Sequence, residues 1–116
     1  MAVTPEIQQI ADIIRQAVPA ERIYLFGSHA YGTPHKHSDY DFYVIIPDGS
    51  MRPIEAAQKA YQALSPMGSN RPSVDIVAGT QSKFEIMRGR IGAVEKDVAA
   101  KGVVLYERHG LGQQVA

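Results

Sequence analysis

The chain has 116 residues and 45% hydrophobic side chains, enough for one domain with a modest core and too apolar for a disordered chain. Twelve Lys and Arg balance twelve Asp and Glu, so no global basic field exists to make nucleic acid a main partner. With no cysteine, disulfides and thiolate metal sites are excluded.

The charge is unevenly spread. Residues 1–50 carry three basic and six acidic side chains, a net −3, and residues 51–116 carry nine and six, a net +3. The acidic half can attract cations, and the basic half can meet phosphate or an acidic partner. The start MAVTPEIQQ lacks the basic and apolar regions of a signal peptide. Apolar runs such as Phe42 to Ile46 are far too short to span a bilayer. A soluble cytoplasmic protein with no membrane partner is expected.

Thr4-Pro5 predicts a helix start, with Thr as N-cap and Pro at the first helical position. Ile7, Ile10, Ile14 and Ala17 recur at helical spacing, and Ala11, Ile13 and Val18 widen the stripe until Pro19 intervenes. Ile23 to Phe26 reads as a buried strand ending at Gly27, and Ser28 to Tyr31 as a short helix. Tyr40 to Ile46 is β-branched and aromatic, a strand closed by the turn Pro47-Asp48-Gly49. Ser50 is placed to cap a second long helix whose inward stripe is Ile54, Ala57, Tyr61 and Leu64. A loop over Pro66 to Pro72 precedes a strand from Val74 to Ala78. Ser82 to Glu85 fits a capping box, and Phe84, Met87, Ile91, Val94 and Val98 continue at spacings of three and four. Gly89 and Gly92 can split that segment into two helices; Gly102 is a C-cap candidate before a closing strand, Val103 to Tyr106.

This order predicts an α+β fold, a small mixed β-sheet flanked by helices. One domain over residues 1–108 and a loose C-terminal tail over 109–116 are expected, with no repeat or linker.

The chemistry concentrates between Phe26 and Phe42, FGSHAYGTPHKHSDYDF. Successive strand residues face opposite ways, so Asp39 and Asp41 share one face, with Cα atoms about 6–7 Å apart. Two such carboxylates repel, and burying them unpaired is costly. A divalent cation removes that penalty, and Mg²⁺ takes one or two carboxylates plus phosphate oxygens. Asp75, on a separate strand, supplies a third ligand if that strand lies alongside. Three carboxylates suit two Mg²⁺ about 3.5–4 Å apart, the clamp for in-line phosphoryl displacement. Gly27-Ser28, ending a strand and opening a helix, offers backbone N–H groups and a hydroxyl to an anion. The loop and the carboxylate pair thus read as the two ends of one bound nucleoside triphosphate.

Gly27-Ser28-x-Ala30-x-Gly32, followed by Ser38-Asp39-x-Asp41 and by Asp75 within Val74-Asp75-Ile76-Val77, resembles the signature of the DNA polymerase beta-like nucleotidyltransferase superfamily. Over nearly the whole chain it is similar to the minimal nucleotidyltransferases, compact antitoxin-type domains often paired with a HEPN toxin. The resemblance implies a nucleotidyltransferase fold and transfer of a nucleotidyl group from a triphosphate, ATP, to an acceptor hydroxyl with Mg²⁺, two ions being expected. It also implies a HEPN-type toxin partner that receives AMP on a tyrosine. The carboxylates Asp39, Asp41 and Asp75 would be catalytic metal ligands, and Gly27 and Ser28 the nucleotide-binding residues. The sequence departs from the commonest pattern at His29 and Tyr31, where arginine is usual. Neither replacement offers phosphate a permanent fork of donors. Lys83, Arg88 and Arg90 are the cations considered for making up that charge.

Blander readings attach to the other features. His35 and His37 lie in a loop with no further zinc ligands and read as solvated. Arg88 and Arg90 read as a solvated helix face, and the six tyrosines mostly as packing. The rival to the enzyme is a non-catalytic binding module that neutralises its partner by occlusion. Homo- and hetero-oligomers are both compatible with the sequence.

Overall fold

The computed structural model describes residues 3–31, 39–68 and 71–108. The tail expected over 109–116, and with it Gly32, His35, Lys36, His37 and Ser38, lies outside the described residues. Thr4 caps α1 (Pro5–Ala17) by accepting the Ile7 N–H at 3.2 Å, and Pro5 takes a position that needs no N–H donor. β1 (Arg22–Phe26) passes through Gly27 into the single-turn α2 (Ser28–Tyr31). Then come β2 (Tyr40–Ile46), α3 (Pro53–Leu64), a 3-10 turn at Ser65–Met67 and β3 (Val74–Thr80). The chain continues with α4 (Gln81–Met87), α5 (Val94–Lys101) and β4 (Val103–Glu107).

The four strands form one mixed sheet in the order β3-β2-β1-β4. β1 pairs antiparallel with β2 and with β4, whereas β2 and β3 run parallel, joined by the crossover through α3. Five successive residues of β2, Phe42 to Ile46, are buried, the pattern of a strand covered on both faces. Ile7, Ile10 and Ile14 of α1, with Ala56, Ala60 and Leu64 of α3, share one core with Phe42, Val44 and Ile46. Tyr43 and Ile45 point the other way, into a smaller core with Tyr24, Phe84 and Val98. The predicted α+β class, a small mixed sheet flanked by helices, is the fold of the protein.

Two helix starts differ from expectation for the same reason, a nearer competing partner. The Ser50 hydroxyl donates to the Pro47 carbonyl at 2.6 Å and stays in the turn, so α3 begins at Pro53. Glu55 closes that start by accepting the Arg52 N–H at 3.1 Å. The buried stripe is Ala56, Ala60 and Leu64, whereas Ile54 is 59% exposed. Tyr61 sits at the rim, where its hydroxyl accepts the Ile76 N–H at 2.8 Å and so satisfies a donor on the edge strand β3. At α4 the cap is Thr80, which accepts the Lys83 N–H at 3.2 Å, and the box expected at Ser82 to Glu85 does not form. Ser82 instead donates its N–H, at 3.0 Å, and its hydroxyl to the Asp48 carboxylate, tying α4 to the turn after β2.

The split in the C-terminal segment is real. α4 ends at Met87 and α5 begins at Val94, with Gly92 at φ +88° between them. The break releases the expected stripe: Phe84 and Val98 are buried, while Ile91 is 92% exposed. Besides Val98 in the smaller core, a polar contact holds α5 to the sheet. The Tyr43 hydroxyl donates to Glu95 at 2.7 Å, both residues being buried, and Lys83 Nζ approaches the same carboxylate to 3.8 Å. Among the described residues no helix is long and apolar enough to cross a membrane.

Candidate active site

The strand registers bring the predicted site residues to one end of the sheet. Parallel pairing of β2 with β3 sets Asp41 directly beside Asp75, and antiparallel pairing with β1 sets Asp41 beside Phe26. Gly27 follows at φ +76°, a left-handed conformation that glycine adopts freely. A Cβ on Gly27 would collide with Asp41 Oδ2 and stand 3.0 Å from its Cγ. The bare backbone is therefore what lets the carboxylate lie against the loop. Ser28 and the one-turn helix follow at once, with the Ala30 and Tyr31 N–H groups donating to the Gly27 carbonyl at 3.1 and 3.0 Å.

Asp41 is half-buried, and Asp39 and Asp75 are exposed. Burial pushes the Asp41 carboxyl above the usual range, and the charges of Asp75 and Asp39 push it further, with His29 opposing them. Such repulsion is what a bound cation relieves. The donors are hard oxygens on adjacent strands, beside a glycine that a phosphate can approach closely, so the residues present fit Mg²⁺ and a triphosphate. Among the described residues, no three His, Asp or Glu side chains converge as they stand on one ion-sized position.

Tyr31 and His29 occupy the helical turn. The His29 ring packs edge-on against Tyr40, with centroids 4.5 Å apart. The Tyr31 hydroxyl is buried with no hydrogen-bond partner among the described residues. Burial raises its pKa, and the Asp97 and Asp41 carboxylates add to the rise. The Gly27 backbone offsets part of it. Asp97, on α5, thus belongs to the surroundings of this loop, which no pattern in the sequence indicates. Of the cations considered for making up the charge of the missing arginines, Lys83 faces Glu95, Arg88 lies 3.7 Å from Glu85 with its guanidinium 5.7 Å from the Phe84 ring, and Arg90 is exposed between α4 and α5.

A mixed sheet of this order, helices on both faces and a Gly-Ser turn at the strand end define the nucleotidyltransferase fold. Residues 7–105 match the nucleotidyltransferase domain family, and the chain belongs to it. No match was found among curated proteins. Among solved structures, a toxin-antitoxin crystallised with AMP-PNP is similar at 29% identity and a TM-score of 0.57, over 90% of this chain and 74% of that one. A mutant of the toxin-antitoxin MntA-HpeT shares the fold at 23% identity and a TM-score of 0.61, over 97% and 80% of the two chains. A protein from Sulfolobus solfataricus, assigned as a nucleotidyltransferase, shares it at 20% identity and a TM-score of 0.60, over 90% and 79%. The resemblance to the minimal, antitoxin-type nucleotidyltransferases is borne out by the family match and by the likeness to the toxin-antitoxin crystallised with AMP-PNP.

Proposed function

We propose that the chain is a Mg²⁺-dependent nucleotidyltransferase that transfers AMP from ATP to a hydroxyl of a partner protein, a tyrosine of a HEPN-type toxin, and so acts as its antitoxin. The observation that carries this reading is the Asp41–Asp75 register pair set against Gly27. Membership of the nucleotidyltransferase family supports it, as does likeness to a toxin-antitoxin crystallised with AMP-PNP.

In this reading Asp39 and Asp41 hold metal, and Asp75 completes the metal site or orients the acceptor hydroxyl. Gly27 and Ser28 bind the β- and γ-phosphates. The metal, when bound, supplies charge neutralisation for the phosphates. The acceptor oxygen attacks the α-phosphorus, the bond from that phosphorus to the β-bridging oxygen breaks, and pyrophosphate leaves. In this reading the acceptor's proton passes to Asp75, which is exposed, and from there to water. Catalysis is mostly positioning, as in other phosphoryl transfers.

Asp75→Asn separates catalysis from occlusion. It keeps the side chain's shape and removes its charge, so the fold and partner binding should survive. Transfer should fall about 100-fold or more, because the lost interaction is made mainly in the transition state. The protein is co-expressed with the product of the adjacent gene, and the partner's intact mass is measured after incubation with ATP and Mg²⁺. An adenylylated partner with the wild type and an unmodified, still-bound partner with Asp75→Asn are expected. Full protection of cells by Asp75→Asn would sink the catalytic reading in favour of occlusion.

A further inference from the structure

Apart from His29, which packs on Tyr40 and acts on the Asp41 carboxylate, the β1–α2 loop offers a phosphate only neutral donors, from Gly27, Ser28, Ala30 and Tyr31. The neighbouring strands bring Asp39, Asp41 and Asp75, so a triphosphate arriving here meets negative charge first. A fixed cation at this end of the sheet would change that balance, and Lys83 and Arg88 are engaged elsewhere.

One cation is delivered by the register of β4. Val103 pairs with Leu25, so α5 ends where β1 passes into Gly27. Gly102 makes the close join possible, because a Cβ there would stand 3.1 Å from Tyr24 Cδ1 and crowd the Val98 carbonyl. Lys101, the last residue of α5, lays its ammonium over the Tyr31 ring, 5.6 Å from the centroid. Its backbone is thus fixed by the sheet, and its side chain rests on the ring that the Gly27 carbonyl anchors through the Tyr31 N–H. Lys101 is exposed and makes no ion pair among the described residues; Asp97, one turn earlier on α5, lies beyond ion-pair distance.

We propose that Lys101 is a phosphate-binding residue of this site, its ammonium leaving or straddling the Tyr31 ring to meet the phosphates held at Gly27 and Ser28. The assignment rests on the nucleotide-binding reading above. It gives Tyr31 a purpose, as the platform that holds a flexible lysine beside the loop. It also explains how a loop without arginine can hold a polyanion: the charge comes from 70 residues further along the chain, positioned by strand pairing.

The test is calorimetry of Mg·ATP, Mg·ADP and AMP with the full chain, its Lys101→Ala and Lys101→Arg variants, and Lys96→Ala as an exposed lysine on the same helix. Lys101→Ala should weaken Mg·ATP about tenfold, the size of one lost charged hydrogen bond. The loss should be smaller for AMP, and added salt should narrow the gap to wild type, as screening requires. Lys101→Arg should keep most of the affinity, Lys96→Ala should change nothing, and thermal unfolding should be unmoved in both and fall by no more than about 4 °C in Lys101→Ala, the size of the lost ring contact. In turnover, the KM for ATP should rise with kcat nearly unchanged. Wild-type binding that Lys101→Ala leaves intact, or an equal loss in Lys96→Ala, would overturn the assignment alone. No binding of Mg·ATP by the wild type would overturn the nucleotidyltransferase reading and this assignment with it.

Discussion

Gly27→Ala tests the junction of loop and carboxylate most directly. At φ +76° an alanine meets the left-handed penalty, about 1–2 kcal/mol. Unfolding entropy near 2.1 cal/mol/K per residue gives roughly 0.24 kcal/mol/K for 116 residues. The backbone penalty alone therefore lowers Tm by about 4–8 °C. The new methyl also occupies the place of Asp41 Oδ2 and forces the carboxylate aside by on the order of 1 Å, a misplacement that costs about 100-fold in a positioned reaction. Gly49→Ala supplies the control. Its φ is +79°, yet a Cβ there meets nothing within 4 Å, so it carries the backbone penalty without the collision. Scanning fluorimetry should give similar Tm losses for the two variants, while Mg·ATP titration should fail only for Gly27→Ala. Wild-type nucleotide binding in Gly27→Ala, or an equal loss in Gly49→Ala, would refute the reasoning.

Tyr43→Phe leaves the buried Glu95 carboxylate with Lys83 as its nearest partner and should destabilise the fold by about 1.5–3 kcal/mol, measured by urea unfolding. Adding Glu95→Gln should recover part of that loss, because the stranded charge is removed; a double variant worse than Tyr43→Phe would contradict this. Asp41→Asn should raise the stability of the metal-free protein in EDTA. The Asp41 carboxyl lies above its ordinary range in the folded state, so the native protein binds more protons across that interval and wild-type stability falls as pH rises through it. Asp48 and Glu55 are shifted the other way and act alike in both proteins, so the wild-type-minus-variant difference isolates Asp41. A difference that does not change with pH across the acidic range would count against the repulsion described at this site.

The sequence by itself determined most of the features that depend on local chemistry. Thr4-Pro5 starts α1, and the β-branched and aromatic run from Tyr40 to Ile46 forms β2. The glycine-bearing break between α4 and α5 interrupts the helical segment. The ordered set Gly27, Ser28, Asp39, Asp41 and Asp75 was legible as a resemblance to the nucleotidyltransferase signature, and the shared face of Asp39 and Asp41 was legible because alternation along a strand is a property of consecutive residues. Helix caps were less legible. Ser50 and Ser82 look like caps from their neighbours, but Pro47 and Asp48 engage them first.

Only the tertiary structure decided which distant residues meet. Asp41 faces Asp75 because β2 and β3 pair in one register, and a slip by a single residue would turn every β3 side chain to the opposite face. Tyr61 reaches the Ile76 N–H because β3 is an edge strand with a donor to satisfy. Tyr43 finds Glu95, and Lys101 finds Tyr31, because α5 is laid across the sheet between a polar contact and the start of β4. Such meetings follow from the packing of the whole sheet, in which no short stretch of sequence carries the register of another.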